Sequence, residues 1–131
     1  MAGTFHVSVI TPERAVLETE ATSVIFPAHD GEVGVLRNRA PLLYRLGVGL
    51  LKVETASGRQ VLFIAGGFAQ MVDNRLTLLT EQAKEPEKID RAAAEKALEE
   101  ARAMKVKDDA SLRARDLALR SAKLQIRLAG H

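Results

Sequence analysis

The chain has 131 residues, which suits one domain with a small appendage and is too few for two full hydrophobic cores. Apolar residues make up 47% of it and aromatic residues only 4%, so we expect a core of aliphatic side chains. The absence of cysteine excludes disulfides and thiolate chemistry, and the net charge of +2 gives no general argument for nucleic-acid binding.

Short aliphatic runs in the first part of the chain predict strands. They are Phe5–Ile10, Val24–Phe26, Gly49–Glu54, Gln60–Ile64 and Arg75–Leu79. Turn residues separate the runs, with Ser57–Gly58 and Asp73–Asn74 at the expected hairpin tips. Many short strands at this spacing favour an antiparallel β-sandwich or barrel. Gly66–Gly67 interrupts an apolar run, which indicates either a bend or the close approach of a partner's backbone.

The composition changes after Thr80, where charged residues become denser, and every glycine except Gly130 lies before it. We therefore expect two domains, residues 1–84 and residues 85–131, joined through a polar linker. The second domain is rich in alanine and in charged residues that favour helices. It predicts a helix over Asp90–Lys105 and, after the capping residues Asp108–Ser111, a second helix from about Leu112 to Leu128. Two helices with a short loop form an antiparallel hairpin.

Apolar side chains follow helical spacing in both predicted helices. The stripe of the first helix comprises Ile89, Ala93, Ala97, Ala101 and Met104. The second helix has two stripes, Leu112, Leu119 and Ile126, and Leu117, Leu124 and Leu128. The two stripes lie roughly 140–160° apart, so the helix is expected to have two neighbours, either both within this chain or one of them in another protein.

Basic residues also concentrate on the second helix, where Asp116 is the one acidic residue among them. This basic face comprises Arg113, Arg115, Arg120, Lys123 and Arg127. Such a face is either solvated or binds an acidic partner surface.

Motifs that would indicate catalysis, targeting or a membrane span are missing from the sequence. His6 and His29 are isolated, and no glycine-rich segment has the strand–loop–helix context of a phosphate-binding loop. No apolar run approaches the roughly 20 residues of a membrane-spanning helix, and the segment Met1–Ile10 does not resemble a signal peptide. The sequence therefore favours a binding or regulatory protein over an enzyme.

Six segments follow one another in the order and spacing of a known family. They are Phe5–Glu13, Asp30–Leu36, Ala40–Leu43, Gly47–Gly49, Ile64–Phe68 and Ile89–Asp90. Together they resemble the epsilon subunit of the bacterial F-type ATP synthase over nearly the whole chain. Arg37 and Arg39 stand where members of that family usually have proline and histidine.

The resemblance implies a noncatalytic subunit of the central stalk, which couples rotation of the membrane-embedded c-ring to the catalytic head. The sandwich would bind the gamma subunit through Gly66, Gly67 and Phe68. It would bind the c-ring through the loop of Glu32, with Arg39 in the neighbouring position, because a loop carboxylate suits a basic c-subunit loop. The subunit would lie at the cytoplasmic face of the bacterial inner membrane and contact the membrane only through the complex, with no nucleic-acid partner.

The resemblance also implies that the hairpin regulates the enzyme, by extending toward the catalytic beta subunits and inhibiting ATP hydrolysis. The basic face would suit the acidic beta segment involved. Some family members bind ATP at the hairpin through three arginines, but Ala93, Ser121 and Gln125 occupy those positions here, so we expect weak ATP binding at most. The remaining candidates for an ATP site are Asp90, Arg91, Lys123 and Arg127.

Two other classes of protein agree with the same residues. One is a stand-alone protein-binding module whose hairpin docks a soluble partner, and the other is a small-molecule enzyme with its site between sandwich and hairpin. An exposed apolar patch on one sandwich face would favour the stalk subunit. An acidic pocket with strongly shifted pKa values would favour the enzyme.

Overall fold

Short runs of aliphatic residues form strands in the first part of the chain, and alanine-rich stretches form helices in the second. The structure is a computed structural model that describes residues 3–130. The chain divides into two compact units, one ending at Lys84 and the other beginning at Glu85. The structure confirms the predicted β-sandwich followed by a helical hairpin. Among the described residues, no helix is long and apolar enough to cross a membrane.

The strands of the first unit form two five-stranded sheets. They are β1 (Phe5–Ile10), β2 (Ala15–Ala21), β3 (Ser23–Ala28), β4 (Gly31–Leu36), β5 (Leu42–Arg45), β6 (Val48–Thr55), β7 (Gly58–Ala65), β8 (Phe68–Val72), β9 (Arg75–Leu79) and β10 (Gln82–Lys84). The first sheet has the order β2-β1-β9-β8-β5 and the second sheet the order β10-β7-β6-β3-β4. The pair β1 and β9 is parallel, and the other described pairs are antiparallel. The predicted runs correspond to β1, β3, β6, β7 and β9, while the prediction missed the other five strands.

The core between the sheets is mostly aliphatic, as the composition indicates. Val7 and Val9 of β1 are fully buried beside Leu78 of β9. Phe26 of β3 meets Tyr44 of β5 edge to face, with 6.1 Å between the ring centroids. Each fully buried side chain of this size stabilises the fold by about 1.5–3 kcal/mol, so burial between the sheets holds the sandwich together.

Both predicted hairpin tips are present. Asp73 and Asn74 have φ values of 51° and 61°, which suit the two-residue turn that joins β8 to β9. Gly58 has φ 125° and follows the turn that joins β6 to β7. Asn, Asp and Gly tolerate positive φ better than other residues, so the sequence specifies these turns locally.

The chain crosses between the two sheets repeatedly at one end of the sandwich. This crossover end consists of Leu46–Gly47, Gly66–Gly67 and Thr80–Glu81. Leu46 N donates to Gly67 O (2.8 Å), and Gly66 N donates to Gly47 O (3.2 Å). A Cβ at Gly67 would overlap the carbonyl oxygen of Leu79, and φ there is 100°. The bend interpretation of Gly66–Gly67 therefore accounts for both glycines, and the backbone that approaches them belongs to this chain.

The second unit contains a 3-10 turn, Pro86–Lys88, and two helices, α1 (Arg91–Ala103) and α2 (Asp109–Ala129). Asp90 caps α1, and its Oδ1 accepts a hydrogen bond from Ala93 N (3.1 Å). At the start of α2, Asp108 Oδ1 accepts from Ser111 N (2.8 Å), while Asp108 N donates to Ser111 Oγ (3.0 Å). This reciprocal cap satisfies backbone donors that the helix itself leaves free, as the predicted capping residues indicate.

The buried side of α1 differs from the predicted stripe. Ala94 and Ala101 are buried, whereas Ala93, Ala97 and Met104 are exposed. Consecutive alanines at the start of α1 make its apolar pattern ambiguous by one residue, or about 100° around the helix. The prediction that Ala93 and Ala97 belong to the packed stripe is therefore wrong.

Ala122 and Leu128 are the buried residues of α2, and small residues line one packed side of this helix. Ala122 is buried at its centre, and Arg115 and Gln125 are half-buried on the same side. We call this the alanine side, because Ala118 and Ala129 also lie on it. At about 100° per residue, the stripe of Leu112, Leu119 and Ile126 lies about 60° from Ala122, and the stripe of Leu117, Leu124 and Leu128 lies about 140° from it in the other direction. The two stripes are therefore on opposed sides of α2, and the expectation of two neighbours stays a prediction.

Candidate functional site

Large apolar side chains are exposed on the outer surface of the first sheet. Phe68 of β8 is 54% exposed and pairs in register with Leu79 of β9, which is also 54% exposed. Val72 lies on the same side of β8 (38% exposed), and Leu43 of the neighbouring β5 is 69% exposed. We call these four residues the outer apolar patch. Gln70 lies between Phe68 and Val72 on the same face and pairs with Leu43, so the patch also includes a polar position. A cluster of large exposed apolar side chains marks an interaction surface more often than scattered exposed residues do.

The sequence pattern identified Phe68 but missed its neighbours Leu43, Val72 and Leu79. Alternation in β8 was the available signal, because Ala69 and Met71 point into the core and Phe68 and Val72 point out. The contribution of Leu43 and Leu79 depends on strand pairing, which the sequence does not reveal. The residues of the patch can therefore be identified only when the pairing register of the strands is known.

Gly66 and Gly67, predicted with Phe68 as a gamma-binding segment, serve the crossover end. Their backbone hydrogen bonds and positive φ values are explained within the sandwich. Of the three residues, only Phe68 presents a side chain to solvent. The two glycines therefore fix the position of Phe68 at the start of β8.

Glu32 is the second residue of β4, beside the turn that joins β3 to β4. Its side chain is exposed and forms no ion pair or hydrogen bond with other residues of the described range 3–130. The hairpin that carries it is fixed, because His29 N donates to Arg45 O (3.0 Å) and Gly47 N donates to Pro27 O (3.0 Å). Glu32 thus lies near the crossover end, on a rigid support and available to a cation.

Arg39 lies beyond the opposite end of β4 from Glu32. The backbone N–H of Arg39 donates to Leu36 O (3.3 Å). Leu36 follows Glu32 by four strand residues, which at a rise of about 3.3 Å per residue corresponds to about 13 Å. The turn before Arg39 is held by Asn74, whose Oδ1 accepts from Asn38 N (2.6 Å) and whose Nδ2 donates to Asn38 Oδ1 (3.0 Å). The structure therefore does not bring the two predicted ring-contacting residues together.

Most of the basic face forms a continuous stripe along α2. Arg113, Arg120, Lys123 and Arg127 fall within about 80° of the helix circumference, on the side opposite the alanine side, and we call them the basic stripe. Arg115 lies about 120° from the centre of this stripe and is half-buried. The structure therefore separates Arg115 from the other four predicted residues.

The basic stripe lacks acidic partners within the part of the chain that the structure describes. In contrast, α1 pairs Arg91 with Glu95 (3.1 Å) and Arg102 with Glu99 (3.0 Å). Arg120, Lys123 and Arg127 line a shallow open hollow with neighbouring residues of α2. Asp116 lies on the same side of α2 and also lines this hollow, so the four cations and this carboxylate together carry a net charge of +3. Such an excess of positive charge on one helix side attracts an acidic surface.

The four candidates for an ATP site have different surroundings. Asp90 caps α1, and Arg91 pairs with Glu95 and lies beside Gly130. Lys123 and Arg127 belong to the basic stripe, away from the packed side of α2. Ser121 and Gln125, which stand where the resemblance expects arginines, are hydrogen-bonded to each other (Gln125 Nε2 to Ser121 Oγ, 3.2 Å).

Asp108 has a lowered pKa, and the cause is helix capping. The hydrogen bond from the Ser111 N–H stabilises the ionised carboxylate, and a further hydrogen bond from the Ser111 side chain adds to the effect. Asp108 is fully exposed, so its shift reflects local structure at the start of α2 and does not point to a catalytic pocket.

Comparison with known sequences places the sandwich in a known family. The family model described as ATP synthase, Delta/Epsilon chain, beta-sandwich domain matches residues 4–86. The ATP synthase epsilon chain of Rhodopirellula baltica is 42% identical over 119 residues, which cover 91% of this chain and 93% of that one. The ATP synthase epsilon chain of Desulfitobacterium hafniense is 36% identical over 131 residues, covering 98% of both chains.

Comparison with solved structures extends the similarity to the helices. A chain in the cryo-EM structure of Euglena gracilis mitochondrial ATP synthase, OSCP/F1/c-ring, matches with a TM-score of 0.80 and 27% identity, covering 100% of this chain and 84% of that one. A chain of the Tetrahymena thermophila mitochondrial ATP synthase central stalk and c-ring shares the fold, with a TM-score of 0.71 and 14% identity over 95% of both chains. From these matches and from the family model, the chain belongs to the ATP synthase epsilon-chain family.

Proposed function

We propose that this chain is a noncatalytic subunit of the ATP synthase central stalk, which couples rotation of the c-ring to the catalytic head. Family membership supports this role, as does the match to a chain of the Euglena gracilis enzyme over the whole length of this chain. The single observation that carries the proposal is the outer apolar patch. An exposed apolar surface on one sandwich face is what a subunit held in a complex requires.

The outer apolar patch is the proposed gamma-binding surface. Phe68 and Leu79 form its centre, and the crossover end holds Phe68 in place through Gly66 and Gly67. Aromatic side chains on a rigid support bind strongly because little side-chain entropy is lost on association. The sandwich would therefore attach to gamma without rearranging its strands.

Glu32 is the proposed centre of the c-ring contact. Its carboxylate is exposed on a fixed hairpin and has no cation beside it among residues 3–130, so a basic ring loop would complete it. Arg39 lies beyond the opposite end of β4. It would contact the c-ring only if the ring surface extends along the whole length of β4. Through this contact the chain would lie at the cytoplasmic face of the bacterial inner membrane, as a peripheral part of the complex.

The hairpin is the proposed regulatory element. The basic stripe would bind an acidic segment of the catalytic beta subunits and inhibit ATP hydrolysis when the hairpin extends toward them. Charge pairs that become partly desolvated in such an interface contribute a few kcal/mol each, whereas exposed pairs contribute about 0–1 kcal/mol. Several together suffice for the 1–3 kcal/mol that typically biases a regulatory element between two states.

Co-purification tests the proposal as a whole. The tagged full chain, expressed in place of the native copy, is isolated from detergent-solubilised membranes, and its partners are identified by mass spectrometry. We expect gamma, c and the catalytic subunits in fixed proportion, and their loss when Phe68 and Leu79 are both replaced by serine. Recovery of the chain with a soluble partner alone would support the stand-alone binding module instead.

A further inference from the structure

Gly34, in the middle of β4, is a glycine that the fold of this chain does not require. Its φ lies outside the left-handed region, and a Cβ added there would meet nothing within 4 Å. Gly47 differs, because a Cβ there would lie 2.8 Å from the carbonyl oxygen of Ala28. A glycine inside a strand costs conformational entropy and removes a side chain that would pack on the sheet. Its presence therefore calls for a reason outside the sandwich.

The missing side chain leaves a notch on the outer surface of the second sheet. Glu32, Gly34 and Leu36 are the outward residues of β4, and Gly34 pairs in register with Ile25 of β3. Leu36 is 63% exposed and Ile25 is 37% exposed, so two aliphatic side chains flank the bare backbone. Strand geometry gives a span of about 13 Å from Glu32 to Leu36. We call these four residues the β4 notch.

Two features of the β4 notch define the chemistry of its occupant. The aliphatic walls favour an aliphatic side chain, and the unpaired carboxylate of Glu32 at one end favours a cation next to it. β4 is also an edge strand, so the backbone groups along its free edge are available to a loop that lies beside it.

We propose that the β4 notch receives an aliphatic side chain from the same basic ring loop that pairs its cation with Glu32. This inference rests on the proposed c-ring contact. It specifies the residues of the ring loop, which should have a lysine or arginine a few residues from a leucine, isoleucine, valine or methionine. Gly34 is then the residue that determines how closely that loop approaches. A larger side chain at position 34 would fill the space that the loop occupies.

Substitution of Gly34 by valine tests the proposal, because it is expected to change folding and binding in opposite directions. Valine suits a strand better than glycine, so the melting temperature of the free chain should rise by about 2–6 °C. The affinity for ATP synthase complex from which this chain has been removed should fall about tenfold, as expected for one overpacked contact. Gly34→Ala should have a smaller effect on affinity. Gln60→Val, at an exposed position of β7, is the control that raises strand propensity away from the notch.

A crosslinking measurement identifies the occupant. Because the chain has no cysteine, Leu36→Cys carries a single thiol that a photoreactive maleimide can label. We expect the adduct to form with the c subunit, and to decrease when Gly34→Val is added. An adduct with a second copy of this chain, or with gamma alone, would overturn the ring-loop assignment.

The outcomes separate this inference from the proposed function. If Gly34→Val binds as tightly as the wild type while Glu32→Lys weakens binding, the notch proposal is wrong and the ring contact stands. If neither substitution affects binding or coupling, both the notch and the ring contact are wrong. A melting temperature lowered by Gly34→Val would also overturn the inference, because the glycine would then serve the fold.

Discussion

Truncation of Phe68 to alanine should weaken attachment to gamma much more than it weakens the fold. The Phe68 side chain is 54% exposed. A phenylalanine buries about 150–250 Å² in total, so about 80–130 Å² of this one remains for a partner to cover. At about 25 cal/mol per Å² that area is worth about 2–3 kcal/mol, or a loss of about 30- to 150-fold in affinity.

The assay is a titration of fluorescently labelled full chain against ATP synthase complex lacking this subunit. Far-UV circular dichroism verifies that the variant is folded. Leu117→Ala is the matched control, because Leu117 is exposed to the same fraction, 54%, but lies on α2. Equal affinity of Phe68→Ala and wild type would refute the assignment of the outer apolar patch. An equal loss in Leu117→Ala would show that the effect is not specific to the patch.

The following predictions concern the hairpin. Deleting residues 110–131 should raise the ATPase activity of the reconstituted soluble complex without releasing the sandwich. Replacing Arg113, Arg120 and Arg127 by glutamine should give part of that increase in ATPase activity, and the increase should be smaller at high salt because screening has already weakened the contacts. Arg115→Gln should change the activity little. Unchanged ATP hydrolysis in the truncated complex would count against inhibition by the hairpin. Calorimetry of the isolated chain should detect no stoichiometric micromolar ATP site, because Ala93, Ser121 and Gln125 stand where the resemblance places arginines. A site of that affinity that Arg127→Gln abolishes would contradict this. Because the pKa of Asp108 is lowered, its ionised cap stabilises α2 at pH values above the ordinary aspartate pKa, and this stabilisation is lost as pH falls below about 4. Circular dichroism at 222 nm should show the resulting loss of helicity in the wild type. An identical pH curve for Asp108→Asn, whose amide caps the helix without titrating, would argue against this account.

The sequence specifies the strands whose pattern is local. Phe5–Ile10 and Arg75–Leu79 match β1 and β9 at both ends, because each is an aliphatic run bounded by turn residues. β2 escaped prediction because Glu18 and Glu20 interrupt its apolar residues on the solvent side. β4 escaped because Gly31 and Gly34 lower its strand propensity.

Three-dimensional placement of the site residues was less accessible to the sequence. Glu32 and Arg39 are seven positions apart, and only the extended strand between them shows that they lie at opposite ends of β4. Arg115 lies among the other cations in the sequence, yet helix geometry places it on the packed side of α2. Residues close in sequence were therefore grouped wrongly where an extended strand separates them by its length or a helix places them on different sides.

Proton-driven ATP synthesis by the Glu32→Lys enzyme is the most direct test of the coupling role. Membrane vesicles carrying the variant are compared with wild type, with hydrolysis-driven proton pumping measured in the same vesicles. Glu100→Lys, an equal charge reversal at an exposed position of α1, is the control. Because reversal of an exposed carboxylate costs little folding energy, we expect an intact complex with reduced coupling for Glu32→Lys and normal coupling for Glu100→Lys. Wild-type rates of ATP synthesis and proton pumping in the Glu32→Lys vesicles would contradict the proposed contact with the ring.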